Sequence, residues 1–164
     1  MKTLRCGMAF AHAILVFAAM FIVLAASPVR AAVDGSRVIH DWYRLTLELV
    51  RHTPTYSPPV ASRAFAYTGI IAHEALATGD PGAVSLAGQL PGLSSAPARE
   101  PGQDYDNAVV LNAALAEAAA ALFHNTGPTG QRATAAMNPA LSEAVAEGVP
   151  SETVARSIAH GQAV

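Results

Sequence analysis

From Tyr105 to Phe123 the chain reads YDNAVVLNAALAEAAAALF, and after Asn107 only Asn112 and Glu117 interrupt the apolar residues. Alanine and leucine are strong helix formers, and small side chains let a helix lie close against its neighbours. Leu111, Leu115, Ala118 and Leu122 follow one another at spacings of four, three and four, which is one stripe of such a helix. Runs that alternate apolar with polar β-branched residues are missing, and so are hairpin turns to join strands. The expected fold class is therefore all-α.

The flanking segments supply the other helices. Val38, Trp42, Leu45 and Leu49 share one helical face, which predicts a helix over Ser36 to His52 that the TPTYSPP segment stops, because proline cannot continue a helix. A second helix is predicted over Pro59 to Thr78, with Ser57 as its cap and the proline pair in the first turn, where no N–H partner is lost. From Gly79 to Asp104 glycines and prolines accumulate in GDPG, LPGL, SAPA and EPGQD. That long connection is expected to be functional or wrapped on a neighbour, with a short helical turn in AVSLAGQL. Asp104 or Asp106 caps the alanine-rich helix. Another helix runs from Thr129 to about Ala146, with a kink or split expected at Asn138-Pro139. Gly148 closes it, and Ser151 caps a last helix that reaches Val164 without an end signal. The chain therefore reads as a partial helical bundle, the N-terminal portion of a larger all-helical fold.

Residues 1–31 carry a different signal. Lys2 and Arg5 precede the apolar run Gly7 to Ala26, Ser27-Pro28 breaks it, and VRA follows with small residues that suit a signal peptidase. Cleavage after Ala31 and export are expected, leaving residues 32–164 as the mature part. The competing reading is an N-terminal membrane anchor, since twenty helical residues at about 1.5 Å each can just cross a hydrocarbon core of roughly 30 Å. Of the ten basic residues, Lys2, Arg5 and Arg30 leave with the leader, so seven arginines face twelve acidic residues at a formal charge of −5. That balance argues against a nucleic-acid partner and against an anionic membrane surface after cleavage. Cys6, the single cysteine, also lies in the leader, which excludes a thiol site, a disulfide and a cysteine zinc site from the mature part.

Local motifs yield no site. His73-Glu74 invites comparison with the helical zinc motif that carries two histidines four residues apart, but HEALA puts Ala77 where the second ligand belongs. His40, His52, His124 and His160 are far apart and read as surface or helix-end histidines. GPTGQR lacks the Gly-Lys-Ser/Thr ending of a phosphate loop and follows no strand, so it is a turn between helices. No serine stands in a Gly-x-Ser-x-Gly pattern.

Within YSPPVASRAFAYTGIIAHEAL, Arg63, Tyr67, Ile70 and Glu74 occupy one stripe of an otherwise apolar helix. A helix apolar on most sides belongs inside a bundle, so Arg63, Tyr67 and Glu74 are expected to be buried structural polar residues with partners on other helices. Arg63 and Glu74 cannot pair with each other, because eleven residues separate them by roughly 16 Å along the axis.

That stretch, SLAGQLPGL (residues 85–93) and YDNAVVLNAALAEAAAALF, flanked by WYRLTLELVRHT and VARSIAHGQAV, resembles the N-terminal helical part of bacterial exported proteins of the vanadium-dependent haloperoxidase type, in the phosphatidic-acid-phosphatase type 2 superfamily. The resemblance implies a helical bundle around an oxyanion site that holds vanadate or phosphate with a lysine, two arginines, a Ser-Gly-His segment and a further histidine. Such cationic donors neutralise an oxyanion and donate several hydrogen bonds to it. The family carries all of them in its later half. This chain has no Ser-Gly-His, and its single lysine is Lys2. No catalytic, cofactor-binding or metal residue is therefore carried over, and no cofactor is expected in this chain.

Two functions from different classes follow. One is an N-terminal fragment of a haloperoxidase-like or phosphatase-like protein, without the catalytic half and inactive as it stands. The alternative is a free-standing exported helical protein that binds a partner through apolar helix faces. Either way, exposed apolar faces lead to an expectation of self-association.

Overall fold

The computed structural model describes residues 33–164. Their fold is all-α, with five helices: α1 Gly35–His52, α2 Pro58–Ala77, α3 Asn107–Leu122, α4 Pro128–Ala146 and α5 Ser151–Ala163. Among the described residues no helix is long and apolar enough to cross a membrane. The cleavage site after Ala31 and the alternative anchor lie outside the described residues.

The organising element is α3, which packs against each of the other four helices. It buries ten residues, including Val109, Val110, Leu111, Asn112 and Leu115. Asp106 caps it, accepting a hydrogen bond from the Val109 N–H at 2.9 Å. On one side α1 presents Val38, Trp42, Leu45 and Leu49, the stripe expected from their spacing. The alanines keep the axes close. At Gly161 of α5 a β-carbon would come within 2.3 Å of the Val110 carbonyl oxygen, so that helix lies directly on the α3 backbone.

The interior helix is thus α3 and not α2. Only Ala64, Thr68, Ala72, Glu74 and Ala75 of α2 are buried, a narrow strip of small residues with one carboxylate. Pro139 sits inside α4 without splitting it. Ala135 and Pro139 are both exposed, so the carbonyl that the missing N–H leaves free can be hydrated. Ser57 holds the N-cap position of α2 but makes no side-chain cap bond. Pro150 takes the N-cap of α5, where Ser151 was expected, and Ser151 is the first helical residue. In AVSLAGQL the chain forms a tight turn instead of a helical one: Ala87 and Leu90 meet in an isolated bridge around Gly88, whose φ of 77° favours glycine.

Candidate functional site

The end of α2 carries two polar fasteners four residues apart, Glu74 in the last turn and Thr78 at the C-cap, and both hold the long connection between α2 and α3. Glu74 is 5% exposed. One carboxylate oxygen accepts the Ser85 hydroxyl at 2.7 Å and the other accepts the Leu86 N–H at 2.6 Å. Ser85 Oγ in turn accepts the Ala87 N–H at 3.0 Å. The carboxylate therefore stands in for backbone partners that an irregular segment cannot supply itself. Its partners lie in the connection and not on another helix as expected.

Thr78 is the second fastener. Its hydroxyl donates to the Ala75 carbonyl at 2.8 Å, receives Arg99 Nε at 3.2 Å and meets His160 Nε2 at 3.0 Å. Arg99 also donates to Asn107 Oδ1 at 2.7 Å, and its guanidinium lies over Tyr105, 5.2 Å from the ring centre. Burial holds the Arg99 pKa below the ordinary guanidinium value. Arg156 approaches the same ring at 5.9 Å, but it is bound to Glu152 at 2.7 Å and to the Asp104 carbonyl at 3.0 Å. His160 lies in the last turn of α5, a helix-end histidine as one of the two expected readings had it, but at 8% exposure and edge-on to the Tyr105 ring it is not on the surface.

Between the fastened connection and the helices lies an apolar cleft of about 590 Å³, lined by Tyr67, Ile70, Ile71, the Leu90–Leu93 turn, Ala118 and Leu122. Tyr67, 46% exposed, stands at this cleft, and Arg63 is exposed as well. Both were expected in the interior. Arg63 and Glu74 do share a helix face, being eleven residues apart, but only the Glu74 end lies under the SLAGQL segment. Burial on α2 is set by what covers each turn, which the helical period cannot register.

Sequence reasoning missed a buried polar chain across three helices. Trp42 Nε1 donates to Asn112 Oδ1 at 2.8 Å, and Asn112 Nδ2 donates to Ser142 Oγ at 3.0 Å. A signal existed, since Asn112 is the one amide beyond the first residue of an alanine-leucine helix, and a buried amide there requires partners.

These arrangements fasten and pack. Among the described residues no three His, Cys, Asp or Glu side chains gather where they could hold a metal ion. The residues present do not fit vanadate or phosphate either. Arg99 and Arg156 converge on one tyrosine ring, but Arg156 is committed to Glu152 and Asp104, and no lysine follows Lys2. Ser157 accepts the Asp106 N–H at 2.9 Å and is completely buried, so its hydroxyl is no nucleophile for an outside substrate.

No family model matches the chain. No curated protein matches it either. The fold is nevertheless that of a known class, being vanadium-haloperoxidase-like over most of the chain. One solved structure that shares it is the crystal structure of the first bacterial vanadium-dependent iodoperoxidase, with a TM-score of 0.63 and 26% identity over 82% of this chain. The chain spans 30% of that protein's length.

Proposed function

We propose that this chain is the N-terminal helical part of an exported protein of the vanadium-haloperoxidase type, within the phosphatidic-acid-phosphatase type 2 superfamily. It contributes scaffold and carries no oxyanion site of its own. The observation that carries this reading is the match that takes in 82% of this chain but only 30% of the iodoperoxidase. The lack of a lysine and a Ser-Gly-His segment after the leader agrees with it, because such catalysis depends on cationic donors placed where charge develops.

The apolar cleft supports the same reading, since a larger bundle would cover it. Left open, it favours association between copies. Sedimentation velocity on the 164-residue chain should show species larger than a monomer, reduced by Leu90→Asp in the cleft rim. Export with cleavage after Ala31 rests on Lys2, Arg5, the apolar run and VRA. Intact mass of the protein from the exported fraction tests it: loss of residues 1–31 is the expected result, and their retention supports the anchor.

The activity test is turnover. With vanadate supplied, halide oxidation and phosphomonoester hydrolysis should stay at the protein-free background. Turnover above that background, abolished on removing the chain, would mean a complete site is present and the scaffold reading is wrong.

A further inference from the structure

The hydroxyl of Thr78 has one proton and two lone pairs. The proton is used on the Ala75 carbonyl at 2.8 Å, so the two nitrogens that approach the oxygen, Arg99 Nε and His160 Nε2, must both donate to it. This fixes the neutral His160 tautomer: Nε2 carries the hydrogen and Nδ1 is bare. Nδ1 makes no hydrogen bond within the described residues, so it is where an incoming proton would go.

We propose that His160 is a proton-operated latch, which when neutral fastens α5 and the connection through Arg99 to the end of α2, and which loosens both when Nδ1 gains a proton. The geometry supplies the mechanism. His160 and Arg99 reach one oxygen at 3.0 and 3.2 Å, so the two nitrogens cannot be more than 6.2 Å apart. An imidazolium there is a second cation beside a guanidinium at a largely buried position, and both the repulsion and the burial disfavour it.

The other groups around the ring do not offset this. Tyr105, from the connection, meets the imidazole edge-on with ring centres 5.3 Å apart. Asp106, at the start of α3, has its carboxylate on the Val109 N–H. Asn107 beside it is occupied by Arg99. Arg156, one turn earlier on α5, is a further cation paired with Glu152. Burial, followed by the Arg99 charge, holds the His160 pKa below the ordinary value of 6.5. A histidine with a lowered folded-state pKa contributes stability that is fully present above pH 6.5. That contribution is lost as the pH falls from there through the folded pKa.

The test uses the 164-residue chain labelled with ¹⁵N-histidine. At pH 8 the His160 nitrogen shifts should show a protonated Nε2 and a bare Nδ1, and its titration midpoint should lie below about 6.5. Urea unfolding at pH 7.5 and 5.5 then compares the chain with His160→Gln, which keeps an N–H donor but cannot gain a proton. The unchanged chain should lose more of its folded-to-unfolded ratio between the two pH values than the variant does. Equal losses would overturn the latch. If the glutamine variant does not fold, the spectra decide alone, and an Nδ1–H tautomer or a midpoint at or above 6.5 overturns it.

Discussion

Glu74 is a buried carboxylate without a basic partner, and its charge is satisfied by one hydroxyl and one backbone N–H. Replacing it with alanine strands the Leu86 N–H and the Ser85 hydroxyl. Stability should fall by about 1–3 kcal/mol, the cost of leaving partly buried polar groups unmade, read from the urea midpoint. A change of a few tenths would mean that water replaces the carboxylate at no cost. Asn112→Leu tests the other buried chain. It strands the Trp42 indole N–H, 1% exposed, and should cost about 2 kcal/mol, accompanied by a shift in tryptophan fluorescence. Sequence reasoning could place Glu74 on a helix and require a partner for it. It could not say that the partner lay in the SLAGQL segment, because hydrogen bonding to an irregular segment has no period, and for the same reason Arg63 and Tyr67 were assigned to the interior.

At the scale of the element, helix limits were legible to within one residue at α1 and α2, since prolines, caps and glycines mark them in the chain itself. The ranking of helices was not. An alanine-rich helix and an isoleucine-containing one both look interior, and α3 holds the centre because its small residues admit neighbours on every side. The packing of α5 on α3 makes a sharp prediction at Gly161. Alanine there would gain helix propensity, but its β-carbon would stand 2.3 Å from the Val110 carbonyl oxygen and 2.8 Å from Ala113 Cβ. Overpacking should win, lowering stability by about 1–3 kcal/mol and the melting temperature with it. An unchanged or raised melting temperature would show that the two helices can separate freely. The cap of α3 is a gentler test: Asp106→Ala removes the acceptor of the Val109 N–H and should cost about 1 kcal/mol in the same assay.

At the scale of the whole molecule, the described residues pack four helices around the alanine-rich α3, place their polar groups in fasteners and leave an apolar cleft open beside them. The fold class was legible in the sequence, because helical spacing and the lack of strand patterns are local facts. The expectation that this chain holds no oxyanion site rests, in the sequence, on a missing lysine and a missing Ser-Gly-His segment. What the sequence alone could not show is how the seven arginines after Arg30 are used, and the two that converge, Arg99 and Arg156, are taken up by Tyr105, Thr78, Asn107 and Glu152. If these helices are scaffold without an oxyanion site, vanadate has no place to bind, and isothermal titration of vanadate into the 164-residue chain reads this out. No saturable heat is expected up to millimolar vanadate, since an anion would have to displace partners that Arg99 and Arg156 already hold. Saturable one-to-one binding at micromolar vanadate would contradict the scaffold reading.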